Sequence, residues 1–163
     1  VEYCFKEITK TFKPKKINLN GFPRNWISIQ SLNNEFVAYN PLNGINWRFE
    51  LTDSSINHYK IESDTEVISR LISIQPNKLI LEIRSYFEGN QNQTSFFKIQ
   101  ATTTPFLYTL QHSTTLSFKN VRHTFLITPI EHLKEFNLVV DDAPTLVSSY
   151  VRFDKVVGYE NLK

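Results

Sequence analysis

Arg70 is the first side chain that could bind a ligand, because it interrupts an otherwise apolar strand pattern. It shares a face with three isoleucines of the segment EVISRLISIQ: Ile68, Ile72 and Ile74. A buried guanidinium is costly unless a carboxylate or an anionic ligand pairs with it. The sequence therefore predicts either that Arg70 recognises an anion inside the fold or that its side chain points away from the interior. In the second case Val67 and Leu71 mark the inner face, or a β-bulge changes the phase of the strand at Arg70.

His123 is the second such side chain, since it shares a predicted strand face with Val121, Phe125 and Ile127. An inward imidazole could bind a ligand, hold a metal or move a proton. The alternative interpretation is a core histidine whose ring nitrogens are satisfied by a hydroxyl or a carbonyl group. The remaining histidines show no paired spacing typical of a metal site: His58, His112 and His132.

Aromatic side chains recur along the chain and could line a pocket: Trp26, Tyr39, Trp47, Phe49, Phe96, Phe97, Phe106 and Tyr108. Ligand cavities are mainly apolar and aromatic with a few polar anchors, although aromatic residues in strands also simply fill a core. We predict seven ligand-binding residues: Arg70, His123, Trp26, Trp47, Phe49, Tyr39 and Tyr108. We predict no catalytic residue, no metal and no cofactor.

Composition narrows the class of protein. The 163 residues suit one domain, residues 1–163, and a formal charge of +2 gives no broad basic face for nucleic acid. The only cysteine is Cys4, so neither an intrachain disulfide nor a cysteine-based zinc site can form. No apolar run is long enough to cross a bilayer, and motifs such as Gly-x-Ser-x-Gly are missing from the sequence.

The elements that must position these residues are short strands. From Trp26 onward, β-branched and aromatic runs alternate with turn residues, which is typical of an all-β fold. INWRFEL places Trp47, Phe49 and Leu51 on one face, and EVISRLISIQ pairs with KLILEIRSYF across Pro76-Asn77. We expect one short helix in IEHLKEF after Pro129, and a strand rather than a helix in the opening EYCFKEITKTF.

We predict an all-β antiparallel meander closed, or nearly closed, into a barrel of about 8–12 strands. The final segment SSYVRFDKVVGY is expected to form a last strand that could pair with an early one and close the sheet. The alternative is a two-sheet β-sandwich. A barrel would place the aromatic inward faces around an interior cavity.

The chain resembles the lipocalin and calycin group in its Gly21 and Trp26 ahead of ISIQ, its meander from Trp26 to Phe118, and the short helix and final strand that follow. Here FPRN separates the glycine from the tryptophan, whereas that group spaces them two residues apart. The resemblance implies an up-and-down barrel around a small apolar ligand, with Arg152 in the place of the arginine that packs across the tryptophan.

Three hypotheses for function follow. The first is a non-catalytic barrel that binds a small, largely apolar ligand in a connected cavity open at one end. The second is a protein-interaction or surface-assembly domain with an exposed apolar patch. The third is an enzyme, which requires titratable groups such as Arg70, His123 and a carboxylate to converge in a cleft. Because the chain begins at Val1 and lacks methionine, we expect a removed initiator or leader, and we favour export over a cytoplasmic location.

Overall fold

Strands dominate the computed structural model, which describes residues 2–40, 47–59, 64–85, 94–119, 121, 123–140 and 149–151. It contains one α-helix, α1 (Glu2–Thr11), one 3-10 helix (Ile130–Glu135) and the following strands: β1 (Asn25–Leu32), β2 (Glu35–Asn40), β3 (Arg48–Leu51), β4 (Ser55–Tyr59), β5 (Asp64–Gln75), β6 (Lys78–Ser85), β7 (Thr94–Ala101), β8 (Tyr108–Ser113), β9 (Thr124–Pro129), β10 (Asn137–Val140) and β11 (Ser149–Val151). The prediction of an all-β fold with one short helix after Pro129 is confirmed.

A closed barrel of eight antiparallel strands forms the body of the molecule. Its strands follow the order β1, β3, β4, β5, β6, β7, β8 and β9, and β9 returns to pair with β1. We call the end at which β4, β6 and β8 finish the upper end, and the opposite end the lower end. The fold is therefore the predicted barrel and not the alternative two-sheet sandwich. Closure leaves the strands of the barrel with no free edge to protect.

The hairpin of β5 and β6 confirms the predicted turn at Pro76-Asn77, with Gln75 opposite Lys78. Along β6 buried and partly exposed residues alternate without interruption, and Leu79, Leu81 and Ile83 are fully buried. Two register shifts interrupt β5, between Ile68 and Arg70 and between Leu71 and Ser73. Each shift changes which residues of β5 face the interior.

The barrel core consists of inward side chains from every strand of the barrel. Its largest members are Trp26, Phe49 and Phe97, all with at most 1% of their surface exposed. The Trp26 ring lies 6.2 Å from that of Phe49, and Phe49 meets Phe97 edge-on at 5.6 Å. Such ring pairs add to the burial energy of the side chains. The centre of the barrel is therefore filled by aromatic rings in contact.

The lower end is closed by the segment that precedes β1. Ile17 donates its backbone N–H to the carbonyl of Asp53 at 2.8 Å, and Leu19 and Phe22 are buried in the barrel core. The indole N–H of Trp26 donates to the carbonyl of Pro23 at 2.9 Å, which gives this buried polar group its partner. The interior is thus sealed from below.

The opening segment is a helix, so the prediction of an N-terminal strand was wrong. Helix α1 packs on the outside of β5, where Ile8 is buried, and Glu7 forms an ion pair with Lys10 one turn later. The side chain of Phe12 lies under the guanidinium of Arg84, 5.7 Å from ring centre to Cζ. The helix is amphipathic, and docking of its apolar face on the sheet stabilises it.

Strands β2, β10 and β11 extend the sheet beyond the barrel from the second half of β1. Between β10 and β2 the pairing is parallel, whereas the strands of the barrel pair antiparallel, as predicted. The last strand was expected to close the sheet, but its described part, β11, pairs with β10, and β9 closes the barrel on β1 instead. Arg152 lies outside the described residues. No helix among the described residues is long and apolar enough to span a bilayer.

Candidate functional site

Polar side chains gather on the inner face of the barrel at the upper end. Glu66 of β5 lies opposite Ile56 of β4 and opposite Ser85 of β6, and directly opposed residues of a sheet share a face. His58 follows Ile56 on the inner face of β4, and His112 follows Leu110 on the inner face of β8. We call Glu66, His58, His112, Ser85 and Trp47 the Glu66 cluster.

Glu66 accepts hydrogen bonds at both carboxylate oxygens. Its Oε1 accepts from the Ser85 hydroxyl at 2.7 Å and lies 3.3 Å from Nε2 of His112. Its Oε2 lies 3.0 Å from Nε2 of His58. The side chain of Glu66 is only 12% exposed, so these donors replace the water that the carboxylate loses on folding.

Trp47 decides which nitrogen of His58 carries the proton. Its indole N–H can only donate, and it points at Nδ1 of His58 over 3.3 Å. Because Nδ1 accepts, Nε2 must carry the hydrogen that faces Glu66, and a second ring proton would meet the indole N–H. The arrangement Trp47 to His58 to Glu66 therefore favours the tautomer of His58 that carries its hydrogen on Nε2.

The pKa values of Glu66 and His112 are shifted in opposite directions. Burial by itself raises the pKa of Glu66, but the hydrogen bonds from His112 and His58 and the charges of these two histidines outweigh it, and the pKa lies well below its usual value. The hydrogen bond to Glu66 raises the pKa of His112 above its usual value, against partial burial. At neutral pH the cluster contains a carboxylate, and the hydrogen bond to this carboxylate favours the charged form of the His112 imidazole, whose side chain is 43% exposed.

Two aromatic rings meet beside the cluster, at the place where β1 leaves the barrel. The last ladder pair of β1 with β9 is Ile29 with Leu126, and from Gln30 onward β1 pairs with β2. Above that point the rings of Trp47 and Phe125 touch edge to face, with centres 5.2 Å apart. Phe125 lies opposite the buried Leu110 on the inner face, yet 46% of its surface is exposed. The Phe125 ring is therefore accessible to solvent at the upper end of the inner wall.

Arg70, one of the predicted anchors, lies on the outer face of the barrel. Its side chain is 59% exposed, and its guanidinium pairs with the Glu82 carboxylate at 2.8 Å. Glu82 also accepts from the Ser69 hydroxyl at 2.6 Å. The shift of register between Ile68 and Arg70 turns the guanidinium outward, as the bulge alternative required.

His123, the other predicted anchor, precedes β9 and is exposed. Its ring centre lies 6.4 Å from that of Phe125, so it is near the upper end without being part of the Glu66 cluster. Arg70 and His123 are therefore on different surfaces. Tyr39 belongs to β2, outside the barrel, and its side chain lies outside the described residues.

The predicted aromatic residues divide between the two ends. Trp26 and Tyr108 pack edge to face at 5.0 Å in the lower half, where burial and the charge of Glu131 raise the pKa of the Tyr108 hydroxyl. Phe49 lies between, in contact with Trp26 below and 5.5 Å from Trp47 above. Of the predicted binding residues, Trp47 is the one that joins the Glu66 cluster, with Phe49 beneath it.

Sequence reasoning missed Glu66, His58 and His112, although a signal was present. Each lies two residues from a core residue on the same strand: Ile68, Ile56 and Leu110 respectively. Period-two counting from those residues places all three on the inner face. His58 and Glu66 lie 8 residues apart on the neighbouring strands β4 and β5, whereas His112 reaches Glu66 from β8, which is not adjacent to β5 in the sheet.

Two other features of the structure are weaker candidates. A groove of about 420 Å³ lies at the lower end between residues 19–23 and 74–76, but none of its lining residues carries a charge. Within the part of the chain that was searched, no group of three or more His, Cys, Asp or Glu side chains is arranged to hold a metal ion. In the Glu66 cluster the Nε2 atoms of both histidines face the carboxylate instead.

Comparison with known proteins found no matching family model, no matching curated protein and no matching solved structure. The barrel is consistent with a calycin-like fold on its strand number and pairing alone.

Proposed function

We propose that this chain is a non-catalytic binding protein that holds a small, largely apolar ligand at the upper end of its barrel, in the manner of the lipocalin and calycin group that its sequence resembles. The observation that carries the proposal is the Phe125 ring. It belongs to the inner wall of the barrel, yet 46% of its surface is exposed. An aromatic ring left accessible on an inner wall is surface that an apolar ligand can cover.

The contacts around Phe125 define the shape of this site. Trp47 forms the adjoining wall, and the packed rings of Phe49 and Phe97 form a floor that keeps the ligand near the upper end. The Glu66 cluster supplies polar groups at one side. An apolar wall with a few convergent polar groups is the usual composition of a small-molecule site.

A neutral apolar fluorophore, N-phenyl-1-naphthylamine, tests the proposal with a matched pair of variants. Phe125 and Phe36 are exposed to similar extents, 46% and 37%, but Phe36 lies on β2 outside the barrel. We expect the unmodified chain to enhance the fluorescence of the probe. Phe125→Ser should weaken binding at least about tenfold, because the ring supplies apolar contact area, and Phe36→Ser should not. No binding by the unmodified chain, or equal loss in both variants, contradicts the proposal.

Surface assembly is the second candidate function, and Phe106 is the observation that favours it. Its backbone has φ of 62°, a conformation that is costly for an aromatic residue, and its ring is 42% exposed. The ring stacks on His132 at 4.0 Å, and the Thr128 hydroxyl holds the Phe106 carbonyl at 2.8 Å. This function predicts oligomers that form with increasing concentration and dissociate in Phe106→Asn; sedimentation of a monomer at all concentrations rejects it.

A further inference from the structure

We propose that the ligand of the upper end carries a positively charged nitrogen, such as a primary ammonium group on an apolar body, which pairs with Glu66 in place of His112. The inference rests on the proposed function, because it names the chemical class of ligand for that same site. Three observations support it: the balance of charge on the inner face, the weak attachment of His112, and the rings beside it.

The described inner face at the upper end attracts positive rather than negative charge. Glu66 contributes a buried carboxylate there. His58 faces that carboxylate through Nε2, and its Nδ1 accepts from the indole N–H of Trp47. None of the described inward positions of the barrel strands is a lysine or an arginine. The Glu66 carboxylate would repel an anionic ligand and attract a cation.

His112 is the partner of Glu66 that a ligand can displace most easily. Its 3.3 Å separation from Glu66 is the longest of the three polar contacts of that carboxylate, and its side chain is 43% exposed. The exposed imidazole can therefore turn into water, and it loses only its hydrogen bond to Glu66. An ammonium group brings a positive charge and up to three donors to the position beside Oε1 that His112 leaves, and charge-assisted hydrogen bonds are the stronger kind.

The aromatic rings at the upper end favour the same ligand class. Trp47 and Phe125 present an edge-to-face pair next to the carboxylate. A cation near an aromatic face is attracted by the ring quadrupole, and indole is the best ring for this purpose. The apolar body of the ligand would cover the exposed part of Phe125 while its nitrogen reaches Glu66.

Three probes of equal shape test the inference on the full chain: benzylammonium, benzyl alcohol and benzoate. Nitrogen-15 NMR titration follows the indole N–H of Trp47, assigned with Trp47→Phe, and the imidazole of His112. We expect benzylammonium to bind about tenfold more tightly than benzyl alcohol, and benzoate to bind most weakly. We also expect benzylammonium to release the His112 imidazole from Glu66.

The possible outcomes separate the two proposals. If benzyl alcohol shifts the Trp47 signal and binds as tightly as benzylammonium, the charge inference is overturned and the binding function stands. If none of the three probes shifts that signal, both fail. Glu66→Gln should abolish the preference for benzylammonium. Glu82→Gln, the matched change at an outer-face carboxylate with its own serine and cation, should preserve it.

Discussion

Truncating Glu66 to alanine should destabilise the barrel by far more than truncating Glu82. Both are strand carboxylates that contact a serine hydroxyl and a basic side chain. They differ in their surroundings, because Glu66 lies inside the barrel and Glu82 on its outer face. The comparison isolates the effect of burial on the groups left without a partner.

The magnitude follows from the donors that Glu66→Ala leaves behind. His58 and Ser85 are each 8% exposed, so neither can regain full hydration, and each stranded donor costs about 1–3 kcal/mol. His112 is exposed enough to turn into solvent at little cost. We expect a loss of about 4 kcal/mol in the free energy of unfolding, or a fall in Tm of about 12 °C for a chain of this size.

Glu66→Gln should cost less, about 1–2 kcal/mol, because the amide can still satisfy all three neighbours. Its oxygen must face His58, whose tautomer is held by Trp47. Its NH₂ group then faces Ser85 and His112, and both of these can accept by rotating the hydroxyl or exchanging the ring proton.

Urea unfolding followed by circular dichroism measures these differences. Glu82→Ala should cost at most about 1 kcal/mol, because water replaces the lost carboxylate at Ser69 and at the exposed Arg70. If Glu66→Ala is no more destabilising than Glu82→Ala, the donors around Glu66 are hydrated and the cluster is not a buried network. An equal loss in Glu66→Ala and Glu66→Gln would show that charge, rather than hydrogen bonding, stabilises the cluster.

Three further outcomes are expected. Because the pKa of Glu66 is lowered on folding, Glu66 stabilises the fold at pH values above its usual pKa of 4.5, and this effect is lost as pH falls. Because the pKa of His112 is raised on folding, His112 stabilises the fold at pH values below its usual pKa of 6.5, and this effect is lost as pH rises. The urea midpoint should therefore be highest between these two pH values, and a midpoint that rises steadily to alkaline pH would contradict this. Leu81→Ala should cost about 3 kcal/mol in urea unfolding, because Leu81 is 0% exposed in the barrel core, and a cost below 1 kcal/mol would show that the core relaxes into the space. Arg70→Ala should change the thermal midpoint by little, since its pair with Glu82 is exposed, whereas a large loss would place Arg70 in a buried role.

Much of the strand pattern could be predicted from local sequence. The tight hairpin between β1 and β2 turns at two consecutive asparagines, Asn33 and Asn34, which both have positive φ and belong to a residue type that accepts this conformation. The alternation of Phe49 and Leu51 correctly marked the inner face of β3. These features depend on neighbours within a few residues, so the sequence displays them directly.

The site was harder to predict, and the two predicted anchors show why. Arg70 was counted onto the face of Ile68 by strict period two, but the shift of register in β5 moved it to the outer face. His123 was counted onto the face of Phe125, yet β9 begins only at Thr124. Period-two counting holds only inside a regular strand, and bulges and strand ends are set by packing with the neighbouring strands.

The sequence by itself determined that the chain forms β-hairpins with apolar inner faces, because alternation and turn chemistry act over a few residues. The tertiary structure alone decided that α1 docks outside the barrel, that β9 rather than the final strand closes it, and that His58, Glu66 and His112 meet. Those outcomes depend on barrel curvature and on contacts between strands distant in the chain. A buried carboxylate can form hydrogen bonds with side chains of distant strands only after the barrel has closed.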